Sequence, residues 1–179
     1  MAIVTLAEAK ALLNKTLSND DAELAVYLDA ATEVVEGLCG PCSVQTFTET
    51  VPGGSSLLLS HRPVVAVQTV AATAAGVTSP VAPGALVIDG AAGVASTPAG
   101  AYVGDQVVTY TAGRTVVPAS LKLAAAIIVG HLWDTQRPAG GGGRRVPGGG
   151  DDVSVVMGYA IPNRALELMN TYRLPDGFA

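Results

Sequence analysis

A chain of 179 residues with 49% hydrophobic content can build a real packed core, as one domain or one domain with an embedded lobe, which excludes a disordered chain. Charged residues are only 14% and the formal net charge is −5, which argues against a general nucleic-acid binder and leaves a surface poor in charge for a soluble monomer. Buried self-association would account for that shortage.

Thr5-Leu6-Ala7-Glu8 reads as a capping box opening a short helix that runs to about Asn14. The preceding Met1-Ala2-Ile3-Val4 has no basic segment before an apolar one, and no apolar run approaches the roughly 20 residues that span a bilayer. A soluble protein made in the cytoplasm is therefore expected, with no membrane partner. Ser18-Asn19-Asp20-Asp21 supplies a second set of capping residues, and Leu24, Leu28, Ala31, Val35 and Leu38 recur at helical spacing. Gly37, Gly40 and Pro41 are expected to end this second helix.

From Ser43 to Ala112 the pattern changes to β-branched residues broken by turn formers. Strands are predicted near 44–51, 57–60, 64–72, 85–89, 93–96 and 105–112, forming a small and mostly antiparallel lobe. Pro63 suits the start of a strand, and Asp89-Gly90 offers the positive backbone angle of a hairpin turn. Pro118 then suits a first helical turn and Pro138 a helix stop. Between 121 and 133 only Lys122, Gly130 and His131 interrupt an apolar sequence, so this helix needs cover on all sides, from the chain itself or from neighbouring copies. Leu121, Ile127, Ile128, Leu132 and Trp133 are its candidate core or oligomer residues.

After Pro138 come Gly140-Gly141-Gly142-Gly143, Arg144-Arg145 and Gly148-Gly149-Gly150, a composition that cannot form a core. It reads as a tether, or as a segment that orders against a partner with Arg144 and Arg145 pairing with phosphates or carboxylates. Pro162 opens a last helix whose partly apolar face is expected to hold Leu166, Met169 and Arg173 beside Leu168 and Tyr172. The expected organisation is N-terminal helices over 1–42, an inserted β lobe over 43–112, the central helix over 113–138, a Gly/Arg-rich loop over 139–157, and a C-terminal helix and tail over 158–179. Together these form one α+β domain, a helical core carrying a small antiparallel β lobe.

Cys39-Gly40-Pro41-Cys42 has the letters of a thioredoxin-type redox motif. That chemistry places the first thiol at a helix N-terminus, where the dipole lowers its pKa; here the motif sits at a helix C-terminus beside Glu36, where the pKa should rise. A turn with small buried cysteines is the plainer reading, and a thiol-disulfide oxidoreductase the alternative. His61 and His131 are too scattered to complete a zinc site with two cysteines, and neither has a spacing that makes it a catalytic base. The glycine-rich loop lacks the strand, lysine and hydroxyl of a P-loop. No catalytic, metal or cofactor-binding residue is assigned.

The order of several pieces resembles the head-tail connector (adaptor, or head-completion) proteins of long-tailed bacteriophages. These pieces are Thr5-Leu6-Ala7-Glu8-Ala9-Lys10, Ala30-Ala31-Thr32-Glu33-Val34-Val35-Glu36, Arg62-Pro63-Val64-Val65-Ala66-Val67, Val108-Thr109-Tyr110-Thr111-Ala112-Gly113 and Val117-Pro118-Ala119-Ser120-Leu121-Lys122. The resemblance implies a non-enzymatic ring, commonly of twelve subunits, in the virion neck. Such a ring lies between the portal and a stopper or tail-terminator ring and passes double-stranded DNA without reading its sequence. It also implies a C-terminal segment that docks on the portal, so Arg164, Tyr172, Arg173, Leu174 and Pro175 join Arg144 and Arg145 as candidate partner contacts. A tail terminator or decoration protein is the alternative within the virion.

Overall fold

The predicted capping box is formed in the computed structural model, which describes residues 2–16, 18–74, 77–81, 86–98, 100–136 and 161–174 (backbone only at 74 and 77–81). Glu8 N–H donates to the Thr5 hydroxyl at 3.2 Å, and Thr5 N–H donates to the Glu8 carboxylate at 2.7 Å. Two orphan donors are thereby satisfied at the start of α1 (Leu6–Leu12). The helix stops just before Asn14, which adopts a positive φ of 52°. α2 (Asp21–Cys39) begins where Leu24 N–H reaches the Asp20 carbonyl at 2.9 Å. It buries Leu24, Leu28, Ala31 and Val35 of the predicted stripe, but at its end Cys39 is buried in place of the expected Leu38, which is half-buried. Gly40 ends it at φ +79°, donating to the Glu36 carbonyl at 2.8 Å; Gly37, expected to share that role, stays helical and exposed.

The chain divides into two compact units. One comprises Met1–Val35 and Pro118–Tyr172; the other comprises Glu36–Val117 and Arg173–Ala179. In the first, α3 (Ala119–Gln136) packs on α1 and on α4 (Asn163–Met169), which continues as a 3-10 turn over Asn170–Tyr172. Trp133 near the end of α3 meets Tyr27 edge-on, with centroids 6.4 Å apart, and carries the Lys15 ammonium 5.2 Å above its ring. Ile3 and Val4 are buried, and the Thr32 hydroxyl accepts from Ile3 N–H, fixing the N-terminal segment to α2. On α4 the apolar face differs from expectation: Ala165 and Met169 are buried, whereas Leu166 is exposed.

Among the described residues, the second unit holds two antiparallel sheets. The larger has the order β1 (Gln45–Val51), β7 (Gln106–Ala112), β3 (Val64–Ala74), β4 (Val77–Val81); the smaller has β2 (Ser56–Leu58), β6 (Val94–Ser96), β5 (Val87–Asp89). Strict alternation along β7 buries Gln106, Val108, Tyr110 and Ala112, and register places Val51, Phe47, Val70 and Val64 on the same face. These join Leu57, Leu59 and Ala95 in the lobe's core. The turn after β5 corrects the expected one. Gly93, not Gly90, takes the positive φ, while the Asp89 carboxylate accepts Ala92 N–H at 2.9 Å. Gly90 is needed for a different reason, because a Cβ there would run into the Val64 carbonyl.

Candidate assembly surfaces

α3 is less dependent on outside cover than its sequence suggests. Leu121, Ala124, Ala125, Ala126, Ile128, Val129 and Trp133 are already buried in the single chain, Ile127 and Leu132 are half-buried, and Leu123 is exposed. Of the five oligomer or core candidates, Leu121, Ile128 and Trp133 are therefore core residues here. The available strip is narrow, running through Leu123, Ile127 and Asp134 at helical spacing.

The C-terminal candidates separate. Arg164 is exposed and lies 3.9 Å from Glu167 one turn on, a surface pair of little energetic weight. Tyr172 is half-buried in the 3-10 turn of the first unit. Leu174 is half-buried in the second unit, where its N–H donates to the Leu38 carbonyl at 2.8 Å. That bond satisfies one of the open carbonyls at the end of α2, so Leu174 acts as a C-cap partner within the chain. Arg173 beside it is exposed. Arg144, Arg145 and Pro175, with the whole 139–157 loop, lie outside the described residues.

Cys39 and Cys42 are free and buried. Burial raises the Cys39 thiol pKa, and burial with the Glu36 carboxylate pushes Cys42 up to about 11. Glu36 is held there by the Cys42 N–H at 2.9 Å. Two buried thiols with raised pKa values are poor nucleophiles near neutral pH. His61 stacks on Phe47 at 3.8 Å, and its backbone N–H donates to the Tyr110 hydroxyl at 3.1 Å. That hydroxyl in turn donates to Glu49 Oε1 at 2.9 Å, a network that pins the segment after β2 to the sheet. His131 is half-buried on α3, and among the described residues no group of three or more His, Cys, Asp or Glu could hold a metal ion. No described helix is long and apolar enough to cross a membrane.

Two surfaces emerge that the sequence reading passed over. α2 carries Asp21, Glu23, Asp29, Glu33 and Glu36 and no basic residue. Lys10 holds Asp21 at 2.6 Å, Tyr27 donates to Glu23, and Glu36 accepts from Cys42, which leaves Asp29 and Glu33 exposed one turn apart. The second surface is the outer face of the larger sheet. There β1 offers Thr46, Thr48 and Thr50, β7 offers Thr111, Thr109 and Val107, and β3 offers Ala66, Thr69 and Ala71, in direct cross-strand register. Thr48 and Thr109 hydroxyls bond each other at 3.0 Å, and the Thr111 hydroxyl donates to the Ala66 carbonyl at 3.3 Å. Among the described residues, no charge stands on this face. Its signal in sequence was the threonine at every second position of 46–50 and 109–111.

Comparison with known proteins bears on what such surfaces serve. The sequence profile described as "Head completion protein" matches residues 2–174. Among solved structures, a chain from the neck of an empty GTA particle, computed with C6 symmetry, superposes with a TM-score of 0.68 at 23% identity, covering 98% of this chain and 93% of that one. A chain from the neck of a native GTA particle, computed with C12 symmetry, superposes with a TM-score of 0.64 at 20% identity, covering 100% and 98%. At these identities the superpositions concern the fold. No curated relative matches.

Proposed function

Because the chain belongs to the head completion protein family, we propose that it is a non-enzymatic head-tail connector subunit, repeated as a ring in the neck of a tailed particle. The ring sits between the portal and a stopper or tail-terminator ring and lets double-stranded DNA pass through its lumen. The observation that carries this reading is the match from residue 2 to residue 174, together with two neck chains sharing the fold from end to end. Twelve copies is the number proposed, in keeping with the C12 symmetry with which the native neck was computed; the empty neck was computed with C6. The protein would be made in the host cytoplasm and reside in the virion.

The chain's physical character supports this role. Twelve copies would carry a formal charge of about −60 (twelve times −5). A wall of that sign repels the DNA phosphates and keeps the duplex sliding. The exposed Asp29 and Glu33 on a helix without a basic residue are the described groups best suited to such a wall. A thiol-disulfide role draws no support from two buried cysteines whose pKa values are raised.

Electron microscopy of the chain mixed with its cognate portal tests the proposal. The expected result is an added ring of density on the portal. Persistent monomers with no portal binding would overturn it.

A further inference from the structure

The larger sheet has two edges, and they differ. β4 carries Pro80, which has no N–H to offer a further strand. β1 is seven residues long, contains no lysine or proline, and pairs with β7 in unbroken register, whereas β3 meets β7 with two register shifts. Among the described residues, no hydrogen bond reaches the outward backbone groups of β1. The single charge on the strand, Glu49, is paired in register with buried Val108 and held by the Tyr110 hydroxyl and the Ser60 N–H, so it does not guard the edge. The edges of the smaller sheet are only three residues long. A regular, unprotected edge of this length is a template for an added strand.

We propose that in the free chain β1 pairs antiparallel with β1 of a second copy, about a two-fold axis through Thr48. The strand is self-complementary in that register. Thr48 meets Thr48 and Thr46 meets Thr50 on the outer face, while Phe47 meets Glu49 on the other, so the one charge never faces its like. All seven residues find a partner. Moving the axis to Glu49 would set two carboxylates opposite each other, and moving it to Phe47 would leave Thr50 and Val51 beyond the pair. The sheet already holds this arrangement once. On the inner side of β1, β7 sets Thr111, Thr109 and Val107 against Thr46, Thr48 and Thr50, and the Thr48 and Thr109 hydroxyls bond each other at 3.0 Å. A second β1 offers the same chemistry from the open side, against three threonines that are exposed in the single chain. The contact is isologous and closes on itself, so it protects the edge from open-ended strand addition. Neighbours in a cyclic ring meet head to tail, so the pair must part before the chain enters one.

The test is sedimentation velocity of the free native chain over a concentration series, with a monomer–dimer equilibrium expected. Thr48→Lys, which sets two ammonium groups opposite each other on the axis, should weaken the dimer about ten-fold with an unchanged circular dichroism spectrum. Register is read by mild oxidation of exposed cysteine variants, the native cysteines being buried. Thr48→Cys should link to its own counterpart, at a Cα separation that a disulfide accepts. Thr46→Cys and Thr50→Cys should link only when mixed, because each lies four residue steps, about 13 Å, from its own counterpart. A chain that stays monomeric at every concentration up to about 100 µM overturns the inference. So does a dimer that Thr48→Lys leaves intact, or a set of cross-links in another pattern; where Thr48→Lys alters the fold, the cysteine pattern decides. Ring assembly on the portal is a separate readout, so failure here leaves the connector reading standing.

Discussion

At the scale of single residues, the β lobe depends on Tyr110, which is fully buried yet carries a hydroxyl. Burial, with the neighbouring Glu49 carboxylate, raises its pKa, so the phenol stays neutral and can donate to Glu49 while accepting the His61 N–H. Tyr110→Phe strips both partners at once. It should cost about 1–3 kcal/mol of unfolding free energy, read from a denaturant titration. Cys42 gives a prediction in pH. Its folded pKa, near 11, lies above the ordinary thiol value, so the folded state holds this proton more tightly than the unfolded chain does. The stability it contributes is complete below the ordinary thiol pKa and is lost as pH rises through about 11. Alkylation of native protein at pH 8 should leave both cysteines unmodified, with full modification after denaturation; rapid native labelling would contradict their burial.

At the scale of elements, α2 contains an avoidable weakness. Gly37 is helical and exposed, and a Cβ added there would meet nothing within 4 Å. Gly37→Ala should therefore stabilise the free chain by about 0.5–1 kcal/mol in thermal or chemical melts. Gly113→Ala should destabilise, since that residue holds φ +122° and a Cβ would strike the Ser43 carbonyl. Much of this level was legible in advance. The Thr5–Glu8 cap, the α2 stripe, the alternation of β7 and the start of α3 next to Pro118 are local signals, and each element forms where its signal lies. β4 was missed because Pro80 demotes its run, and only pairing with β3 at a sheet edge makes the proline tolerable. The burial of α3 was also illegible. Its apolar residues show that cover is needed, while the choice between cover from within and from a neighbouring copy is a tertiary fact. The Leu174 bond to Leu38 joins positions 136 residues apart, which no local pattern announces.

At the scale of the whole molecule, a low charge content coexists with exposed Val26, Leu58, Val65, Val87, Val103, Val116 and Leu123. Scattered singly, such residues are ordinary; on the proposed reading, together with the sheet face that carries no charge among the described residues, they would meet neighbouring copies. On the proposed connector reading, the chain's uncharged faces would serve contacts between subunits, and its acidic helix would line the passage for DNA. The most direct measurement is symmetry-averaged imaging of the neck in intact particles that contain this chain. The account predicts that the fold fits density repeated as a closed ring against the portal, with twelve copies around the DNA path. Density for the chain on the capsid surface or along the tail, with none against the portal, would contradict it.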